Sequence, residues 1–151
     1  MDRSPFAPLG IDHIVLRVAA LERMLGFYCG VLGCAVERER PEVGLTQLRV
    51  GRSIIDLVTL EGALGRKGGA GPSVQGRNLD HFCLTISPYD EAALAVHLAK
   101  HDVEVVEAGL RYGAEGQGPS VYIRDPEGNV VELKCPADPA LAASHAPLIG
   151  P

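Results

Sequence analysis

None of the four cysteines, Cys29, Cys34, Cys83 and Cys135, stands in a CxxC pair. Without a secretion signal this leaves four reduced thiols and argues against a disulfide framework or a zinc knuckle. No apolar run approaches the ~18 residues that a membrane span needs. The opening Met1-Asp2-Arg3-Ser4-Pro5 has no apolar signal core, so a cytoplasmic protein with no membrane partner is expected. There is also no basic stripe: 14 Lys and Arg are scattered among 19 Asp and Glu, for a net charge of −5, which demotes nucleic-acid binding. What is plentiful is core material. A hydrophobic share of 46% with 22% charged residues rules out global disorder. The 151 residues fit one domain, or two modules of about 70 residues sharing a core.

Glycine and proline punctuate the chain. Residues 61–77 (EGALGRKGGAGPSVQGR) have no hydrophobic period and read as a Gly-rich linker or active-site loop. Residues 136–151, rich in Ala and Pro, read as a flexible tail. Two modules remain, 9–60 and 78–135, and they resemble each other. The first opens Ile11-Asp12-His13-Ile14-Val15-Leu16-Arg17-Val18. The second opens Leu79-Asp80-His81-Phe82-Cys83-Leu84-Thr85-Ile86, 68 residues on from 13 to 81. A helical stretch follows each opening. In the first, Leu21, Leu25, Tyr28 and Leu32 recur at helical spacing, and Gly33 is placed to end the helix. In the second, Ser87-Pro88-Tyr89-Asp90 suggests a serine cap, a proline in the first helical position and an acid in the third. Short strands are expected at 35–38, 46–50 and 54–60, then at 103–107, 120–124 and 129–134. The last pair of each set forms a hairpin, through Gly51-Arg52-Ser53 and through Asp125-Pro126-Glu127-Gly128. The final strands end alike, in Ile54-Ile55-Asp56-Leu57 and Val130-Val131-Glu132-Leu133. The repeat is β-α-β-β-β, twice, an α+β fold.

Each module thus carries a histidine in its first strand and an acid in its last. A carboxylate among apolar strand residues is costly unless it meets a charge or a metal. A lone strand histidine is ordinarily a hydrogen-bonded structural one, but four such residues at repeat-equivalent positions point to a shared purpose. If the modules pack as related halves, His13, Asp56, His81 and Glu132 converge. Two imidazoles with one or two carboxylates suit a divalent ion such as Zn, Ni, Mn or Fe, with positions left for substrate.

The sequence also resembles the vicinal oxygen chelate superfamily: glyoxalase I, fosfomycin and bleomycin resistance proteins, extradiol dioxygenases and methylmalonyl-CoA epimerase. The matching residues are Asp12–Val18, Phe27-Tyr28, Val31-Leu32-Gly33, Leu79-Asp80-His81, and Tyr122-Ile123-Arg124-Asp125-Pro126-Glu127-Gly128-Asn129 running on to Val130-Val131-Glu132-Leu133. The resemblance covers about residues 9–135. It implies two tandem βαβββ modules making a curved mixed sheet around a metal-binding cleft, and a homodimer. By position the metal ligands fall on His13, His81 and Glu132, with Asp56 at a fourth site where glyoxalases usually carry Glu. Arg17 matches an arginine that contacts the glutathione carboxylate in glyoxalase I. The asparagine expected beyond the first acid is replaced by Leu60, which speaks against glutathione. Val15 stands where fosfomycin transferases tend to have threonine.

Strand alternation puts His13, Val15 and Arg17 on one face, and His81, Cys83 and Thr85 on another. Arg17, Cys83, Tyr122 and Arg124 are therefore candidates to contact substrate, while His97, His101 and His145 receive no role. The reading that follows is a metal-dependent glyoxalase- or dioxygenase-like enzyme, with Glu132 or Asp56 as proton shuttle. It would chelate vicinal oxygens of a small substrate and stabilise an enolate or oxyanion. The alternative is a non-catalytic protein that binds a drug or metabolite, as bleomycin-resistance proteins do.

Overall fold

A computed structural model describes residues 4–138; His145 and most of the 136–151 segment lie outside the described residues. The chain divides into two compact units, Met1–Asn78 and Leu79–Pro151. Each repeats the same pattern of one strand, a helical segment and three further strands.

In the first unit β1 (His13–Val18) is followed by α1 (Leu21–Leu25), which continues as a π-helical stretch over Gly26–Val31. Then come β2 (Ala35–Arg40), β3 (Leu45–Val50) and β4 (Ser53–Thr59). The sheet order is β1-β4-β3-β2, with β1 parallel to β4 and the remaining pairs antiparallel. Alternation decides the faces. Leu16 and Val18 of β1, Leu48 of β3, and Ile55 and Leu57 of β4 are buried. From the helical segment Met24, Phe27 and Tyr28 are buried, and the Phe27 and Tyr28 rings meet edge to face, centroids 5.1 Å apart. The buried helical positions are thus not the Leu21, Leu25 and Leu32 of the sequence pattern. The π-helical turn widens the spacing, so the inward face drifts from the 3.6-residue register. Gly33, at φ +74°, ends the segment as expected.

The Gly-rich stretch carries built structure. Gly65–Gly68 form a 3₁₀ turn. The Leu64 amide donates to the Val43 carbonyl at 3.2 Å, and Gly62 packs on Gly44 so closely that a Cβ would lie 2.8 Å from the Gly44 Cα.

In the second unit β5 (Phe82–Thr85) leads to α2 (Glu91–Lys100), then β6 (Val105–Gly113), β7 (Gly116–Arg124) and β8 (Val130–Lys134). The order β5-β8-β7-β6 repeats that of the first sheet, with β5 parallel to β8. Val121, Ile123, Val131, Leu133 and Leu98 are buried. The β6–β7 hairpin is far longer than expected: pairing runs from Val105 with Ile123 to Gly113 with Gly116. Its glycines hid it, because glycine weakens a strand signal without forbidding a strand.

The cap of α2 also differs from the expectation. Asp90, not Ser87, is the N-cap, and its carboxylate accepts from the Ala93 amide at 2.9 Å. Asp is as strong a cap as Ser, and here it stands one residue before the helix. We expect Asp90→Ala to cost about 1 kcal/mol in urea unfolding, with Ser87→Ala unchanged. The reverse order would place the cap back at Ser87.

Candidate metal and substrate site

The second unit gathers the larger constellation. Pairing across its sheet aligns Cys83 with Glu132, Glu132 with Tyr122, and Tyr122 with Glu107, so one row of a single face carries four ionisable side chains. Glu132 is buried. Its Oε1 accepts from the Ser120 hydroxyl at 2.6 Å, and its Oε2 lies 3.5 Å from His81 Nε2. On the other side of the ring, His81 Nδ1 is 2.6 Å from the Asp80 carboxylate. A carboxylate only accepts, so Nδ1 donates there, and in the neutral ring the Nε2 lone pair faces Glu132. The Tyr122 ring stands edge-on to His81, centroids 5.4 Å apart, and the Arg111 guanidinium lies 5.4 Å from the Tyr122 centroid.

These neighbours set the acidities. Cys83 lies on the exposed side of its strand, yet desolvation of the thiol, joined by the charge and hydrogen bond of Glu132, lifts it to about 11. A thiol held that high is a poor nucleophile at neutral pH. Desolvation and hydrogen bonding to Glu132 likewise raise Tyr122, against the opposing pull of Arg111.

The first unit repeats the row with other residues: Val15 pairs with Asp56, and Asp56 with Gln47. Asp56 is buried, and its Oδ1 accepts from Gln47 Nε2 at 2.9 Å. His13 Nδ1 donates to Asp12 at 2.7 Å, as His81 does to Asp80. That hydrogen bond, with the charge of Asp56 behind it, holds His13 above the ordinary imidazole range. The unit forms no His13–Asp56 contact to match His81–Glu132, in keeping with the shorter aspartate.

Arg17 is engaged by the Gly-rich stretch. Nη1 donates to the Gly69 carbonyl at 3.1 Å and Nη2 to that of Ala70 at 2.8 Å. The Asn78 side chain clamps the Arg17 backbone in both directions, each bond 3.1 Å. Arg124 lies beside the turn before β8, 3.4 Å from Glu104, with the Gly128 carbonyl at 3.5 Å. Asp125 holds that turn by accepting from the amides of Glu127 and Asn129 and from the Asn129 side chain.

Of the expected ligands, the second unit brings His81 and Glu132 together. Among the described residues no group of three His, Cys, Asp or Glu side chains is gathered as a metal cage. Sequence reasoning missed Asp12 and Asp80, which orient the histidines, and Ser120, Gln47 and Arg111. The Asp-His dipeptide repeated in both modules was the available signal for the first two. The others reach the site only through strand register, Gln47 opposite Asp56 and Ser120 diagonally across from Glu132.

The chain belongs to the glyoxalase/bleomycin resistance protein/dioxygenase superfamily, whose family profile matches residues 10–133. It is 28% identical over 128 residues to the glyoxalase domain-containing protein RDO1 of Mycosarcoma maydis, covering 82% of this chain. It spans 66% of that relative's length. Among solved structures it is similar to virulence protein STM3117 of Salmonella typhimurium, with TM-score 0.72 and 25% identity over 87% of this chain and 100% of that one. It shares its fold with lactoylglutathione lyase of Agrobacterium tumefaciens, with TM-score 0.62 and 23% identity over 85% and 95% of the two chains.

Ser120 yields a direct test. It is buried with its hydroxyl on a charged partner, so Ser120→Ala should lose about 1–3 kcal/mol of stability in urea unfolding. A change within the noise would mean that water replaces the hydroxyl at no cost.

Proposed function

We propose that this chain is a metal-dependent enzyme of the glyoxalase/dioxygenase kind, acting on a small substrate with two neighbouring oxygens. The observation that carries the reading is the approach of His81 Nε2 to Glu132 Oε2 at 3.5 Å with Nδ1 already committed to Asp80. Two acceptors so placed repel unless a proton or a metal cation lies between them, and an imidazole nitrogen with a carboxylate oxygen suits Zn, Ni, Mn or Fe. A carboxylate behind the ring is also the usual way a ligating histidine is oriented. Asp12 gives His13 the same backing, which supports His13 as the third ligand beside His81 and Glu132.

When bound, the ion supplies Lewis-acid stabilisation of enolate or oxyanion charge on the substrate. The protein's own groups do the rest. Ser120 fixes Glu132 through Oε1, and for Oε2 to accept and return a proton it would have to detach from the ion during turnover. Asp56 is the partner of lesser reach, shorter than a glutamate by about one C–C bond of 1.5 Å. Tyr122, Cys83, Arg17 and Arg124 are assigned to substrate contact. The same reading includes a homodimer, which light scattering at micromolar concentration checks; a monomeric mass would remove that part.

Metal titration of untagged protein tests the core of the reading. Loss of Asp56 as a water-mediated partner should weaken affinity by about 10–100-fold, and loss of Glu132 by more. Equal losses in Asp56→Ala and Glu132→Ala would make Asp56 a true fourth ligand. No metal uptake that depends on His81 or Glu132 would sink the enzyme reading, and ligand binding without turnover would then favour the drug- or metabolite-binding alternative.

A further inference from the structure

Helix α2 is anchored by one side and exposed on another. Leu98 is its buried residue, while His97 and His101 are exposed. The two histidines stand four residues apart, the spacing that stacks side chains on one helix face. Their ring centroids are 4.8 Å apart. We propose that His97 and His101 form a second metal site, a bis-imidazole clamp for a late divalent transition ion, separate from the His81–Glu132 pair.

The centroid distance is the geometric argument. An imidazole nitrogen binds such an ion at about 2.0–2.1 Å, which sets the ring centroid about 3.2 Å from it. Two rings on one tetrahedral ion then have centroids about 5.2 Å apart, and the observed 4.8 Å is close to that. The two rings are therefore near enough to share one ion once a nitrogen of each is turned toward it.

Position adds a second argument. His101 is the C-cap of α2, so the clamp sits at the end where the helix macrodipole favours a cation. Asp102 follows directly in sequence, and Lys100 is the one cationic side chain between the two histidines. The exposed face leaves water to complete the coordination sphere. Imidazole ligation with open positions orders the affinities as copper above nickel and zinc. From the sequence His97 and His101 read as helix-surface residues with no role; the structure brings their rings together.

The test uses the full-length untagged protein. Retention on Ni²⁺-charged resin is expected for the parent and for a His81→Gln, Glu132→Gln double variant, but not for a His97→Gln, His101→Gln double variant. In a Zn²⁺ titration followed by NMR, amide signals of α2 should shift saturably in the parent. His101→Gln alone should weaken this binding by about 100-fold, because the second imidazole acts at high effective concentration. Retention of the His97→Gln, His101→Gln protein, or α2 signals that do not move with Zn²⁺, would overturn the proposal. Both substitutions are at exposed positions, and circular dichroism confirms that the variants are folded. A failure confined to α2 leaves the proposed function standing, and a failure confined to His81 and Glu132 leaves this site standing.

Discussion

A buried carboxylate in the last strand of each module is the constraint around which the rest of each unit is arranged. In a packed sheet such a group has to be met by donors or by a cation, or its desolvation goes unanswered. Glu132 is met on one side by the Ser120 hydroxyl and approached on the other by a histidine whose far nitrogen is taken. Asp56 is met by a neutral amide, Gln47. In both units the donor stands on the neighbouring antiparallel strand, so the hairpin register delivers it. The turn before β8 secures that register through Asp125, which ties down the backbone of Glu127 and Asn129.

The duplication makes the two halves comparable residue by residue, and they have diverged. Val15, Asp56 and Gln47 in one row correspond to Cys83, Glu132 and Tyr122 in the other. The second row is longer in reach and richer in groups that exchange protons. The Asp-His dipeptide is what both have kept. A carboxylate behind each imidazole leaves Nε2 as the nitrogen presented forward, a requirement for ligation and for proton transfer alike.

Much of this was legible from residues. The repeated Asp-His openings, the matched acidic final strands and the βαβββ order follow from period-two alternation and turn chemistry, which are local. What was not legible is non-local or masked by glycine. The reach of β6 to Gly113 is hidden by glycines on both sides of the hairpin tip. The cap passed to Asp90 because two good capping residues stand three apart and sequence does not rank them. The π-helical turn after Leu25 has no periodic signature, so Met24 and Phe27 were missed as core. Ser120 and Gln47 were beyond reach because only pairing register places Gln47 opposite Asp56 and Ser120 diagonally across from Glu132.

Arg17 shows how one residue can answer to two demands. Its guanidinium has five donors, and two of its nitrogens are spent on the carbonyls of Gly69 and Ala70. Carbonyls are neutral, so the positive charge stays uncompensated by a carboxylate in these contacts while the side chain is held in one place. A fixed, unneutralised cation is better organised for an anionic group than a mobile one, since less rotamer freedom is lost on contact. The glycines permit the arrangement: a Cβ on Gly68 would run into the guanidinium. The low-complexity look of residues 61–77 thus reflects close packing, of Gly62 on Gly44, of Gly65 on Thr59 and of Gly68 on Arg17, and the segment orders the residue that the sequence offered as a substrate contact.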